Sequence, residues 1–466
     1  MTSLEERLFT DLHRLATGPA LRRGTTAIYI ADARTGEEIY ALHEDAPLNP
    51  ASNVKLIATA ATMDVLGPDW RYRTRLFGPT PDADGIANGD VYLRGSFDPT
   101  FGVSHLDRLA TRLVERGIHR IDGDVLVGDP GRDAVAIAKL EIKVNAGAVG
   151  GPPEISVEPA SDFVEVLVEA KTFSKGRTNL KVTTSVVTDD LGHEKVQVQV
   201  TGRIRRGAKR SYWRVVRNRS LFTAHTMRAA LQRAGIEVTG TARTVDFAEY
   251  VRMAGPSYLP VQLATHRSAT MAAIIARVNK RSINRLADRV IMTAGAAAYG
   301  GEPTMAKGVR LMQHWLATRA EIDPADVVID TGSGLSYKTQ LSAKNVVNVL
   351  RQAAGLRDVE AGAEPSATER AWRDSLSVAG RDGTLRRRFY KTGLRGHLLG
   401  KTGTLTRIIA LSGIIAADDG TPLAFAIVTN DHRPGYRYNV RKQHEALVKA
   451  MHAYANARQP VAAVQP

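Results

Sequence analysis

The run from Ser52 to Pro68, SNVKLIATAATMDVLGP, decides how the fold is interpreted. Its residues are mostly apolar up to Leu66, which predicts a buried α-helix from Ser52 to Leu66. Gly67 is a residue that closes helices, and Pro68 prevents the helix from continuing. Ser52 and Lys55 are three residues apart, so their side chains would share one face at the start of this helix.

A serine and a lysine in this arrangement can carry out acyl transfer. A serine hydroxyl is a poor nucleophile at neutral pH, and a base within hydrogen-bond reach activates it. Burial beside Leu56 and Ile57 would lower the proton affinity of Lys55, and the helix N-terminus at Ser52 would stabilise an oxyanion. The same residues also suit a helix-capping serine and a lysine in solvent, and one short motif does not decide between these readings.

Two further motifs follow in the expected order. Ser282-Ile283-Asn284 lies between two runs with helical periodicity, and Lys401-Thr402-Gly403 begins a strand-like run near the C-terminus. Three motifs in order are specific where each one alone is weak. A second Lys-Thr-Gly, at residues 391–393, lies in a basic stretch that resembles turns and has no strand after it, so Lys401 is favoured over Lys391.

The rest of the sequence predicts an α/β (α+β) domain with an insertion. Strand-like runs at Thr25–Asp32 and near the C-terminus could pair into one antiparallel sheet flanked by helices. Short strand-like runs separated by Gly, Pro and Asp turns fill residues 77–264. We therefore expect a discontinuous catalytic domain at 1–76 and 265–460, a β-rich insert of two small subdomains at 77–264, and a loose tail at 461–466.

Composition excludes several kinds of site. The chain has 466 residues, no cysteine and a formal net charge of +15. Disulfides, thiolate nucleophiles and cysteine-bound zinc are therefore excluded, and the charge favours residence near an anionic polymer. The histidines show no metal-ligand spacing and no glycine-rich phosphate loop occurs, so we expect no metal and no other cofactor.

Neither a signal peptide nor a transmembrane segment is visible in the sequence. Residues 1–16 predict an amphipathic helix with leucines at 4, 8, 12 and 15, a Ser3/Glu6 capping box and several acidic residues. No uninterrupted apolar window of about 18 residues occurs.

Residues 203–219, RIRRGAKRSYWRVVRNR, form the most basic segment, with eight Lys/Arg, no acid and two aromatic residues. Basic and aromatic residues together are typical of proteins that bind single-stranded nucleic acid. A solvated β-hairpin of the insert, facing an anionic cell wall, is the reading that we favour. We therefore expect no nucleic acid among the partners.

With these motifs in place, the chain resembles the low-molecular-mass class C penicillin-binding proteins, which are D-alanyl-D-alanine carboxypeptidases and endopeptidases acting on peptidoglycan. The resemblance covers nearly the whole length and implies the transpeptidase and β-lactamase-like fold. Beyond the three motifs it rests on looser matches at residues 50–52, 66–69, 93–100, 117–129, 229–240, 332–336, 378–385 and 400–405.

The resemblance implies a role for the residues of the first two motifs. Ser52 would form the acyl-enzyme, and Lys55 would take its proton. Ser282 would relay a proton to the leaving D-alanine. Asn284 would hold the substrate amide and help to position Lys55.

The third motif would bind the substrate from the opposite side. The resemblance implies that Lys401 attracts the substrate carboxylate and that Thr402 forms a hydrogen bond to it. Gly403 would let the strand approach closely. The backbone N–H groups of Ser52 and Thr404 would form the oxyanion hole.

The resemblance also implies the partners and the location. Peptidoglycan stem peptides would be substrates and β-lactams would be inhibitors, in the periplasm or elsewhere outside the cytoplasm. Whether carboxypeptidase or endopeptidase activity dominates, and in which oligomeric state, stays open. The alternatives are a β-lactam hydrolase or esterase on the same fold, or a non-catalytic basic protein that binds the envelope or nucleic acid.

Two residues depart from the pattern of the family. Ile283 stands where the family usually carries aspartate, which would be harmless if its side chain turns away from the site. Thr331 replaces an aspartate that commonly precedes Gly-Ser-Gly-Leu-Ser. Neither change removes a predicted catalytic group.

Overall fold

The computed structural model describes residues 3–457 except 129–134, 136, 190–191, 254, 256–258, 358–363 and 419, so the predicted tail at 461–466 lies outside the described residues. The chain forms two compact units, Met1–Arg71 with Ala269–Pro466, and Tyr72–Ser268. The predicted boundaries were 76/77 and 264/265. The insert is longer at both ends because its first and last strands pair with each other, with Arg73 opposite Arg267.

The secondary-structure elements are numbered here in chain order. The helices are α1 (Ser3–Ala16), α2 (Val54–Leu66), α3 (Val103–Glu115), α4 (Arg219–Arg233), α5 (Phe247–Met253), α6 (Met271–Arg281), α7 (Asn284–Tyr299), α8 (Met305–Arg319), α9 (Ala343–Ala353), α10 (Ala367–Asp374) and α11 (Arg437–Ala457). The strands are β1 (Thr25–Asp32), β2 (Glu38–Leu42), β3 (Arg73–Gly78), β4 (Ile86–Ala87), β5 (Val91–Arg94), β6 (Arg120–Ile121), β7 (Val125–Val127), β8 (Lys139–Asn145), β9 (Glu154–Glu158), β10 (Val164–Val168), β11 (Lys171–Phe173), β12 (Asn179–Thr188), β13 (Glu194–Arg205), β14 (Lys209–Val215), β15 (Glu237–Val238), β16 (Ala242–Thr244), β17 (Val261–Arg267), β18 (Ser377–Val378), β19 (Leu398–Leu405), β20 (Ile408–Ala416) and β21 (Pro422–Asn430).

The first unit contains a six-stranded antiparallel sheet in the order β18-β19-β20-β21-β1-β2. Strand β1 from the N-terminal part pairs along its whole length with β21 from the C-terminal part, from Thr25 opposite Asn430 to Asp32 opposite Leu423. Nearly every residue of β20 and β21 is buried. Because successive side chains of a strand point to opposite faces, both faces of the sheet are covered. Helix α9 packs on β1 and β21, and α11 packs on β20. The predicted antiparallel sheet flanked by helices is confirmed.

Helix α2 is the buried helix of this unit. Residues 51–53 form a 3-10 turn, and α2 follows directly at Val54. Every residue from Val54 to Met63 is buried, because α2 packs against α6, α7 and α8. Gly67, with φ of 78°, closes the helix by donating its N–H to Met63 O at 2.8 Å.

Helix α1 packs on α11, and its Leu12 is fully buried. The side chains of Ser3, Leu4 and Leu8, which belong to the predicted capping box and leucine stripe, lie outside the described residues. No helix in the described part of the chain is long and apolar enough to cross a membrane.

The described part of the second unit is built from small sheets and helices. Its largest sheet has the order β16-β7-β5-β3-β17, and three other sheets contain β4, β6, β8 to β15 and their partners. Helices α3, α4 and α5 also belong to this unit, and the prediction of a β-rich insert had named no helix there. A large apolar cluster draws on residues from Leu76 to Ala264, and a smaller one contains Tyr92, Leu126, Val245 and Tyr250, so the division of the insert into two small subdomains stays a prediction.

The basic segment at 203–219 is not a hairpin, so the expectation of a hairpin was wrong. Strand β13 pairs with β10, β11 and β12, whereas β14 pairs with β8 in a different sheet. The turn between them, where Ala208 N donates to Arg205 O at 2.9 Å, carries the chain from one sheet to the other.

Candidate active site

The first motif lies at the start of α2, where Ser52 and Lys55 are in direct contact. Lys55 is fully buried, and its Nζ lies 2.9 Å from Ser52 Oγ. Ala51, immediately before the serine, adopts a φ of 49°, a conformation that is rare for residues other than glycine. Asn49 holds this bend, because its Oδ1 accepts a hydrogen bond from Ala51 N at 2.8 Å.

Lys55 has two further acceptors around its amine. Its Nζ lies 2.7 Å from Asn284 Oδ1, at the first residue of α7, and 2.5 Å from the carbonyl oxygen of Ser333. Burial lowers the pKa of Lys55 to about 8, and the nearby carboxylate of Asp288 opposes this shift. A buried amine with a lowered pKa supplies a base at neutral pH.

The second and third motifs meet beside this pair. Ser282 ends α6 with a φ of 53°, and its N–H donates to Val278 O. This bend brings Ser282 Oγ to 2.9 Å from Lys401 Nζ, which also donates to Thr402 O at 2.9 Å. Lys401 is fully buried, and burial, followed by the charge of Lys55, lowers its pKa well below the usual range.

Strand β19 forms one wall of the cleft. A Cβ on Gly403 would lie 2.5 Å from Pro50 O and 3.1 Å from Ala51 Cβ, so only glycine lets the strand pack on the turn before Ser52. On its other side β18 pairs only with Leu399 and Gly400, so within the described chain no strand covers residues 401–405 there. Thr404 is exposed at this open edge.

The competing Lys-Thr-Gly lies elsewhere. Residues 391–393 belong to a series of turns before β19, and the side chain of Lys391 is exposed. The Nζ of Lys391 lies over the ring of Tyr390, 5.6 Å from its centroid. The structure therefore brings Lys401, and not Lys391, to Ser282.

Some residues of the site were missed by the sequence analysis. Ser333 contributes a backbone carbonyl, and the neighbouring Gly334, with φ of 66°, packs so closely on Ala51 O that a Cβ would overlap it. Thr384 accepts a hydrogen bond from Thr402 Oγ1 at 2.9 Å. The matches at 332–336 and 378–385 marked both segments, but nothing in their residue types indicated these contacts.

Ile283 and Thr331, the two residues that depart from the family pattern, both make ordinary packing or hydrogen-bond contacts. Ile283 packs against Val278, Leu286 and Ala287, so its side chain belongs to a small apolar cluster. Thr331 Oγ1 accepts a hydrogen bond from Gly334 N at 3.2 Å and so stabilises the turn. The carboxylate of the preceding residue, Asp330, is held by Ser336 Oγ at 2.6 Å.

One group of possible metal ligands appears that the sequence spacing did not indicate. Side chains of His397, Asp418 and His452 offer ligand atoms within 4.8 Å of one another. Asn456 fixes the aspartate, since its Oδ1 accepts from Asp418 N at 2.9 Å and its Nδ2 donates to Asp418 Oδ2 at 3.1 Å. Because these residues form no hydrogen bond with the three motifs in the described chain, we give them no part in the chemistry below.

Residues 8–136 and 133–451 match the D-Ala-D-Ala carboxypeptidase 3 (S13) family. The chain is 28% identical to a D-alanyl-D-alanine carboxypeptidase of an Actinomadura species, over 93% of this chain and 82% of that protein. It is 27% identical to a carboxypeptidase of Mycobacterium tuberculosis, over 89% of this chain and 78% of that protein.

Solved structures show the same fold. Penicillin-binding protein 4 of Haemophilus influenzae, in complex with a β-lactam, gives a TM-score of 0.70 at 19% identity, over 95% of this chain and 99% of that one. A predatory peptidoglycan endopeptidase of Bdellovibrio bacteriovorus gives 0.54 at 17% identity, over 92% of each chain. The predicted fold and the resemblance to class C penicillin-binding proteins are confirmed. The chain belongs to the D-Ala-D-Ala carboxypeptidase 3 (S13) family.

Proposed function

We propose that the protein hydrolyses D-alanyl peptide bonds in peptidoglycan stem peptides through an acyl-enzyme at Ser52. The observation that carries the proposal is the buried Lys55 amine, 2.9 Å from Ser52 Oγ and with a pKa lowered to about 8. At pH 7 about a tenth of such a lysine is neutral, whereas an ordinary lysine is almost wholly protonated. A serine-type D-Ala-D-Ala peptidase is also the activity that the family name describes.

The reaction begins when Ser52 Oγ attacks the D-alanyl carbonyl carbon and Lys55 Nζ takes the hydroxyl proton. Backbone N–H groups of Ser52 and Thr404 stabilise the oxyanion, each such donor being worth about 2.7–4 kcal/mol in the transition state. The C–N bond then breaks, and the proton taken by Lys55 reaches the departing amine through the Ser282 hydroxyl, which leaves Lys55 neutral again. Water hydrolyses the remaining ester, which restores the Ser52 hydroxyl and releases the shortened peptide acid.

The binding groups surround this centre. Lys401 and Thr402 hold the carboxylate of the residue that leaves, and Asn284 holds the amide on the acyl side. Within the described chain no strand pairs with residues 401–405 on the open edge, so an extended peptide can add there like a further strand. A β-lactam would bind at Ser52 in the same orientation. Because peptidoglycan lies outside the cytoplasm, an enzyme with this substrate acts there.

Intact-mass analysis after incubation with benzylpenicillin tests the proposal. We expect one adduct per chain in the unaltered protein and in Ser104→Ala, a control at an exposed serine of the other unit. Ser52→Ala should give none, and should also stop release of D-alanine from a pentapeptide. A folded protein without an adduct, or an adduct that persists in Ser52→Ala, would refute the proposal. An adduct lost within seconds would instead indicate a β-lactam hydrolase.

A further inference from the structure

A strongly basic pocket lies in the first unit beside the third motif. It is a cleft of about 560 Å³ between the turn that follows β18 and the start of α11. Its charged lining residues, which define the basic pocket, are Arg386, Arg387, Arg388, Arg441, Lys442 and Glu445.

The positive charge of the basic pocket is largely uncompensated. Its one carboxylate, Glu445, is shared between Arg388 Nε at 2.8 Å and Lys442 Nζ at 3.0 Å. Arg386, Arg387 and Arg441 form no ion pair within the described part of the chain, and all three are exposed. Five cations against one carboxylate attract an anionic ligand, and exposed arginines bind carboxylates through two parallel hydrogen bonds.

The base of the basic pocket contains a largely buried ion pair. Arg388 is only 8% exposed and is anchored on Glu445. Burial lowers the pKa of Arg388, the charge of Glu445 opposes that shift, and the charge of Arg441 adds to it. Arg388 and Arg441 thus repel each other in the basic pocket, and a bound anion would reduce that repulsion.

The basic pocket begins one side chain away from the catalytic cleft. Thr384 lines the pocket, and its Oγ1 accepts the hydrogen bond of Thr402 at 2.9 Å. The turn that carries Thr384 is fixed by Asp382, which accepts from Val378 N at 2.8 Å and pairs with Lys280 at 2.5 Å. Since Thr402 is assigned to the carboxylate of the leaving residue, the pocket extends the site on the leaving-group side.

We propose that the basic pocket binds an acidic peptide leaving group, so that cross-linked stem peptides are preferred over terminal D-alanine as the bond to be cut. This inference rests on the proposed function of Ser52. A departing D-alanine has one carboxylate, which Lys401 and Thr402 already bind, and it leaves the basic pocket unfilled. A second stem peptide, joined through its side-chain amine, carries further free carboxylates into it.

The reaction itself needs no additional component. Ser52 Oγ attacks the D-alanyl carbonyl, and the C–N bond to the amine of the second stem peptide breaks. That amine receives a proton and leaves with its carboxylates, and water then hydrolyses the ester at Ser52. The basic pocket takes part only by binding and orienting the leaving peptide.

The test compares two substrates on the full-length protein. One is an uncross-linked pentapeptide, which releases D-alanine, and the other is a cross-linked stem dimer with free carboxylates. In the triple variant Arg386→Gln, Arg387→Gln and Arg441→Gln we expect kcat/KM for the dimer to fall at least tenfold, mainly through KM. D-alanine release and penicillin acylation should change less than twofold. A dimer whose leaving peptide keeps the carboxylate beside the scissile bond but has its other carboxylates amidated should already be poor with the unaltered protein.

A matched control removes the same charge elsewhere on the unit. Arg22→Gln, Arg23→Gln and Lys449→Gln are exposed and lie outside the basic pocket, so this variant should cleave both substrates normally. Unchanged dimer cleavage in the pocket variant, or an equal loss on both substrates, would overturn the inference. If the unaltered protein forms no penicillin adduct, the proposed function fails instead, and the two failures are thus distinguished.

Discussion

The hydrogen-bond acceptors around Lys55 determine how its amine is oriented. Asn284 Oδ1 at 2.7 Å and Ser333 O at 2.5 Å can only accept hydrogen bonds, because one is an amide oxygen and the other a backbone carbonyl. A neutral amine has two N–H donors, which these two acceptors occupy. Its lone pair is then left for the Ser52 hydroxyl, 2.9 Å away. The neighbours of Lys55 therefore set both its protonation and its orientation.

The pH dependence of acylation follows from the pKa of Lys55. Only the neutral amine accepts the serine proton, so the second-order rate of acylation by benzylpenicillin should rise with pH and level off above about pH 8. Lys55→Arg stays charged at every accessible pH and should lose about 10²–10⁴-fold in rate, without such a rise. Stopped-flow acylation between pH 6 and 10 would measure this, and a flat profile for the unaltered protein would contradict the assignment of the base.

At the scale of elements, two glycines allow β19 and the segment 332–336 to approach the start of α2 closely. Gly403 packs on Pro50 and Ala51 from the strand, and Gly334 packs on Ala51 from that segment. The residue before the nucleophile is thus held from two sides. This close packing explains how Ala51 keeps its positive φ of 49°.

Gly403→Ala should therefore displace β19 from Ser52. The added Cβ would lie 2.5 Å from Pro50 O, a backbone atom and not the end of a flexible side chain. We expect a loss of about 1–3 kcal/mol in stability and a fall of more than tenfold in acylation rate. Gly102→Ala is the control, because a Cβ there meets nothing within 4 Å. Thermal unfolding and penicillin acylation would be measured on both variants, and equal behaviour would show that the contact is unimportant.

At the scale of the whole molecule, the two units have separate apolar cores. In the described chain, one large apolar cluster contains only residues between Leu76 and Ala264, and another joins residues near Leu12 to residues near Ala455. The insert also begins and ends at adjacent places, since Ser268 N donates to Tyr72 O at 3.0 Å. Within the first unit, Met271 N donates to Trp70 O at 2.7 Å.

Residues 72–268 should therefore be removable without loss of the acylation site. A protein in which a short Gly-Ser linker joins Arg71 to Ala269 keeps all three motifs and the whole six-stranded sheet. We expect it to unfold cooperatively and to form the penicillin adduct at Ser52 within about tenfold of the original rate, because no core residue of the first unit is lost. A cooperatively folded product that fails to react would show that the insert shapes the site.

The sequence by itself determined the features that depend on neighbouring residues. The apolar run of α2, the strands near both termini and the three motifs were all visible, because periodicity and turn residues act locally. The same reliance on neighbouring residues missed helix α3. Its Leu106, Leu109 and Leu113 have helical spacing, but strand-like runs surround them in the sequence. The roles of the motif residues stay predictions.

Only the tertiary structure decided what distant segments do together. It brought the Ser333 carbonyl to Lys55 and the Lys401 amine to Ser282, and it divided β13 and β14 between two sheets. The residues that line the basic pocket also come from two separate stretches of the chain, 383–388 and 438–445. Such contacts join residues far apart in the sequence, and their geometry follows from how sheets and helices pack, which no short stretch of residues specifies.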